Sequence, residues 1–134
     1  MKISKEKQPK VNEQGFLDID VKQLIEWNEP NGEGCIATDE ITKEGWNVGF
    51  MYREAPMDNY PDSGWRFFKG DEDDAYMDDS SRHHVFALNT ICNYDPAIIP
   101  YLHEPVGTYL IRTKQHTFIK DDGNSPIYLT KQKR

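Results

Sequence analysis

The sequence predicts an α+β fold: a single domain with a mainly antiparallel sheet and a few short helices. Three observations carry this. The chain of 134 residues suits one core and is too short for two. Short alternating apolar runs recur between stretches rich in Gly, Pro, Asn and Asp, which is how strands and turns read. The helical stretches between them are brief. Hydrophobic content is low at 37%, but 16 aromatic side chains supply enough apolar area for a packed interior.

Residues 1–15 are Lys-rich and polar and read as a flexible N-terminal tail, followed by a domain over 16–130 and a basic C-terminal tail at 131–134. Behind an Asp20 cap, Val21, Leu24, Ile25 and Asn28 fall at helical spacing, so a short helix ended by Pro30 is expected. Cys35–Thr38 reads as a strand. Trp46–Arg53 reads as a second, with Trp46, Val48, Phe50 and Tyr52 on its apolar face. Turn residues fill 54–64, and Trp65–Lys69 forms a brief strand closed by Gly70. One helical turn is expected within Asp71–Met77, its acids exposed. Val85–Leu88 suits strand or helix, and Asn89–Tyr94 a helical turn. Asp95-Pro96 opens a helix reaching Leu102, since Asp caps well and Pro is favoured at the first helical position. Thr108–Arg112 is the next strand, and either Tyr109–Arg112 or the terminal hairpin is a candidate exposed edge. His116–Lys120 and Ile127–Thr130 are read as a hairpin across 121–126.

Charge is divided along the chain. Residues 1–10 are net +3 and residues 112–134 net +4, whereas residues 11–111 are net −14. That field repels nucleic acid and suits a basic protein partner. The longest apolar runs are far short of a membrane span, and no apolar stretch follows the first lysines as in a secretory signal, so a cytoplasmic location is expected. Cys35 and Cys92 have no CxxC spacing and read as buried thiols.

The acidic, aromatic block Asp62–Asp79 is the candidate functional segment. Asp71, Glu72, Asp73, Asp74, Asp78 and Asp79 are set beside Trp65, Arg66 and Tyr76, and carboxylates steer basic partners while aromatics anchor interfaces. These nine residues are the expected partner-binding set. The acids lack the glycine-punctuated pattern of a calcium loop, and neither His83-His84 nor His103 sits in a zinc frame, so no metal or other cofactor is expected. No GxSxG or phosphate-binding loop is present. An enzyme is disfavoured. The catalytic alternative is a carboxylate-based hydrolase using Glu54 with Asp62 or Asp71.

Several ordered segments carry a family resemblance: Asn47–Glu54, Asp62–Asp73, Leu88–Ile91, Asn93–Pro96 and Ile98–Leu102. Together they resemble a bacterial immunity-protein domain of polymorphic toxin systems, over roughly residues 34–112, leaving 113–130 as a C-terminal extension. The resemblance implies a small cytoplasmic antidote that binds and blocks a toxin domain, and it carries over no catalytic residues; the charge of residues 11–111 adds that the toxin domain is basic. It also leaves open a general regulatory or scaffold domain without a toxin.

Overall fold

The computed structural model describes residues 11–121. The first ten residues of the expected N-terminal tail, the expected strand Ile127–Thr130 and the basic end 131–134 lie outside them. The described residues form an α+β domain with one six-stranded sheet. Its strands are β1 (Gly34–Thr38), β2 (Phe50–Arg53), β3 (Trp65–Phe68), β4 (His83–Ala87), β5 (Tyr109–Lys114) and β6 (Thr117–Lys120), in the order β4-β1-β3-β2-β5-β6. All neighbours are antiparallel except β1 and β3, which run parallel with Ile36 opposite Arg66. Three helices join them, α1 (Asp39–Thr42), α2 (Asp74–Asp78) and α3 (Leu88–Tyr94), with 3-10 turns at Ser80–Arg82 and Pro96–Tyr101. No helix among the described residues is long and apolar enough to cross a membrane.

One sheet face carries the main core. Cys35 and Ala37 of β1, Met51 of β2, Trp65 and Phe67 of β3, Leu110 and Phe118 meet Ile41 of α1, Leu88, Ile91 and Cys92 of α3, and Ile98 and Leu102. Strand side chains alternate between faces, so the intervening residues point the other way. There Phe50, Tyr52, Phe68 and Tyr109 gather, with Tyr52 stacked on Phe68 at 5.6 Å and on Tyr109 at 5.3 Å.

The strand expected from Trp46 begins at Phe50. Val48 and Met51 both belong to the main core, so the alternation is interrupted between them, and Trp46 is 51% exposed. The apolar face read from the sequence thus mixes two surfaces. Gly49 marks the interruption: its N–H donates to the Phe68 carbonyl, and a Cβ there would lie 2.0 Å from the Lys69 carbonyl oxygen.

The helix expected over residues 20–28 is absent. This segment runs extended across α3, where Asn89 and Asn93, one helical turn apart, take over its backbone. Asn93 accepts from Lys22 N–H at 3.0 Å, Asn89 accepts from Leu24 N–H at 2.8 Å, and both side-chain amides donate to the Lys22 carbonyl. Those bonds replace the internal hydrogen bonds a helix would make.

Asp95 caps the Pro96–Tyr101 turn as expected, accepting from Ala97 N–H. It also accepts from Val48 N–H at 2.9 Å and from Arg112 at 2.6 Å, joining this turn to β5 and to the residues before β2. Val85, ambiguous in sequence, lies in strand β4. Tyr109–Arg112 is interior to the sheet and not an edge, because β6 folds back on β5 as a hairpin.

Gly64 enters β3 at φ 91°, with its carbonyl accepting from Glu54 N–H. A Cβ there would lie 2.1 Å from the Glu54 carbonyl oxygen. Gly64→Ala combines left-handed strain with overlap against backbone and is expected to cost more than ~2 kcal/mol, read from urea unfolding.

Candidate functional site: an acidic face beside an aromatic cleft

The block singled out in the sequence separates into a buried and an exposed part. Trp65 is wholly buried, its indole N–H donating to the Leu102 carbonyl at 2.9 Å, which places it in the core and out of reach of a partner. Arg66 is 3% exposed. Its neighbour Phe68 shares its face of β3, so the guanidinium lies beneath the aromatic cluster and its charge requires partners there.

Those partners come from the loop before β3. Asp62, fully buried, takes Arg66 in a two-point pair at 2.9 and 2.8 Å, and Glu54 accepts from Arg66 Nε at 2.6 Å. Asp62 also accepts from the N–H groups of Met57 and Gly64. Burial pushes the Asp62 carboxyl up, but the bonds from Arg66 and from these two amides outweigh it, and its pKa is lowered. Glu54 and Asp62, considered as a hydrolytic pair, are therefore both committed to one guanidinium.

Glu72 was expected to be exposed with the other acids, yet it is 5% exposed. It accepts from Lys69 N–H and Gly70 N–H, each at 2.8 Å, and from the Thr38 hydroxyl at 3.0 Å. Its carboxylate therefore acts as a clip between the turn after β3 and the end of β1. Glu40 and Asp71 approach it, with one carboxylate oxygen from each of the three lying within 4.8 Å of the others. Burial, with Glu72 and Asp71 as like charges, pushes the Glu40 carboxyl up to about 7. Such a set of oxygens suits a hard cation or a shared proton, and Glu72 already spends both of its oxygens on hydrogen bonds.

The remaining acids are at the surface. Asp71 is exposed and pairs with Lys69 at 3.1 Å. Asp73 caps α2 by accepting from Tyr76 N–H at 2.8 Å. Asp74 and Asp78 are exposed on α2, and Asp79 caps the Ser80–Arg82 turn. Hydrogen bonds from the Ser81 hydroxyl and N–H lower the Asp79 pKa, helped by Arg82. Tyr76 is half-buried, its hydroxyl accepting from Glu40 N–H at 3.1 Å, and burial raises its pKa to about 12.

Between α2 and the aromatic sheet face lies a cleft of about 290 Å³. Tyr52, Phe68 and Ile36 line it from the sheet, Met77 and Asp78 from α2, with Glu54 and Arg66 at one end. Ser80 and His83 complete it. Of these, only Arg66 and Asp78 belong to the expected partner-binding set. A signal was available: adjacent Phe67 and Phe68 on one strand must face opposite ways, so one of them had to leave the main core. The two histidines do the same, with His83 in the cleft and His84 on the other face, 3.1 Å from Asp39.

Both cysteines are buried thiols, and burial pushes Cys92 up to about 12 and raises Cys35 as well, which disfavours a thiolate nucleophile.

The model of the immunity protein Imm33 domain matches residues 35–122, about two thirds of the chain. The chain belongs to the Imm33 immunity-protein family. The match begins at β1, ends one residue after the last described position, and includes the whole acidic face and cleft. Neither the curated proteins nor the solved structures gave a match. The anticipated immunity-domain resemblance is therefore borne out, and the extended segment that crosses α3 stands outside the Imm33 match.

Two outcomes follow from the buried charges. Asp62→Ala leaves the Arg66 guanidinium with one carboxylate, Glu54, and the Met57 and Gly64 amides unpaired, and is expected to cost about 3–5 kcal/mol in urea unfolding. Asp62→Leu combined with Arg66→Met recovers only the part due to the uncompensated charge. Glu40 binds a proton more tightly folded than unfolded, so its contribution to stability grows as pH falls from about 7 towards 4.5 and is lost as pH rises through about 7. Glu40→Gln is therefore expected to raise the thermal midpoint at pH 8 relative to the parent and to close that gap by pH 5.

Proposed function

We propose that this Imm33-family protein is a non-catalytic, cytoplasmic antidote that binds a basic toxin domain through the exposed acids of 71–79. Family membership supports the immunity role. The observation that carries the surface assignment is the concentration of Asp71, Asp73, Asp74 and Asp78 on one exposed segment, within residues of net charge −14. Carboxylates in this density attract a cationic surface over a distance of order the Debye length, about 10 Å at 0.1 M salt.

The structure-based division of the block narrows the proposed contact set. Asp71, Asp73, Asp74, Asp78 and Asp79 remain, with Tyr76 as a half-buried aromatic among them. Trp65, Arg66 and Glu72 are buried and fall out of the contact set. Exposed ion pairs such as Asp71 with Lys69 contribute little to folding, so their carboxylates are inexpensive to redirect towards a partner.

Purification from the native host tests the reading: a toxin domain of high pI is expected to co-purify, and co-expression is expected to restore growth to cells making that toxin. With the captured toxin, the association rate is expected to fall at least about tenfold between roughly 50 and 500 mM salt. Asp74→Lys with Asp78→Lys should reproduce most of that fall at low salt. An association rate indifferent to both salt and charge reversal would exclude the acidic face as the steering surface.

A further inference from the structure

We propose that the cleft between α2 and the aromatic sheet face is the anchor site for a single cationic side chain, arginine or lysine, of a basic protein partner. This rests on the partner-binding reading above and supplies what the exposed acids alone lack. Carboxylates on an open surface accelerate encounter but discriminate poorly, whereas tight complexes concentrate their energy in a few side chains buried in pockets.

The cleft has the composition such a guest requires. Long cationic side chains combine an apolar stem with a charged head. Ile36, Phe68 and Met77 offer apolar wall to the stem, and Tyr52 and Phe68 offer ring edges and faces to a cation. Glu54, half exposed, and Asp78 are the carboxylates at its border. At about 290 Å³ it is at the lower end of ligand sites, suited to one side chain.

Arg66 does not spoil this arrangement. All three of its guanidinium nitrogens donate to protein oxygens, and it is held by two carboxylates, Asp62 and Glu54, so that the triad is net negative before Asp78 is counted. An anionic guest would meet that excess directly. A neutral apolar guest would strip water from the carboxylates with nothing in return.

The test is an amide-NMR titration of the full chain with two acetylated, amidated tripeptides, Ala-Arg-Ala and its isosteric, uncharged citrulline counterpart. The arginine peptide is expected to give saturable shifts centred on Ile36, Tyr52, Phe68, Met77 and His83, with citrulline at least about tenfold weaker. Ser80→Arg, at an exposed position on the cleft wall, should fill the site from within and abolish those shifts while leaving the thermal midpoint unchanged. Equal binding of both peptides, no shifts, or shifts spread evenly over 71–79 would overturn the proposal. The captured toxin separates this inference from the one it rests on. If Ser80→Arg captures toxin as tightly as the parent, the cleft assignment falls and the antidote role stands. If neither protein captures a toxin while the arginine peptide still binds in the cleft, the antidote role falls and the cleft assignment stands.

Discussion

A guanidinium sits in the middle of the sheet, and much of the domain is arranged around that fact. Every residue of β3 is buried, and Arg66 is only 3% exposed at the floor of the cleft. The cost of burying its charge is met by Asp62 and Glu54 at opposite ends of the long loop 54–64. The same Asp62 gathers two amides of that loop, and Gly64 closes it against Glu54. A turn-rich stretch of ordinary composition is thereby held to one conformation, and its carboxylate at the cleft is fixed in place. Arg53, on the opposite face, works by the same logic: it pairs with the Glu29 carboxylate at 2.5 Å, donates to the Ser63 and Glu104 carbonyls and lies over Trp65.

The acids that follow β3 show how one composition serves two ends. Glu72 is drawn inward because three donors, two of them backbone amides after the strand, converge on it. Its neighbours Asp71 and Asp73 are exposed, one paired with Lys69 and the other capping α2. Burying one carboxylate near another raises the affinity of the cluster for a proton, which is why the Glu40 pKa moves upward, whereas that of Asp79, held by Ser81 and Arg82, moves down.

Local chemistry made part of this legible. Asp95-Pro96 announced its cap, the run Trp65–Phe68 its strand, and the ordered segments from Asn47 to Leu102 their family. What escaped depended on residues distant in sequence. Nothing in 20–28 reveals that Asn89 and Asn93 will claim its backbone, so helical spacing was a fair reading of the segment by itself. Phe50 and Tyr52 looked like neighbours of Val48 on one apolar face because the existence of a second aromatic face is a property of strand order. Glu72 could not be told from Asp71 or Asp73 until the Thr38 hydroxyl was placed beside it. The cleft, assembled from β1, β2, β3, β4 and α2, has no contiguous signature at all.

The parallel pairing of β1 with β3 has a consequence for assembly. The strand made second in the chain does not touch the first, and β3 must enter between them before the middle of the sheet exists. Because the parallel pairing joins residues thirty positions apart, Ile36 with Arg66, against 12 to 18 for β2 with β3, ring closure precedes the gain in contacts and folding is held back accordingly. The inserting strand carries a charge, Arg66, that the sheet interior must accept. Asp62 lies only four residues from Arg66, so the guanidinium brings its counter-ion with it from its own neighbourhood. The counter-ion of the central strand is thus local in sequence, and its pairing with Arg66 needs no long-range closure of its own.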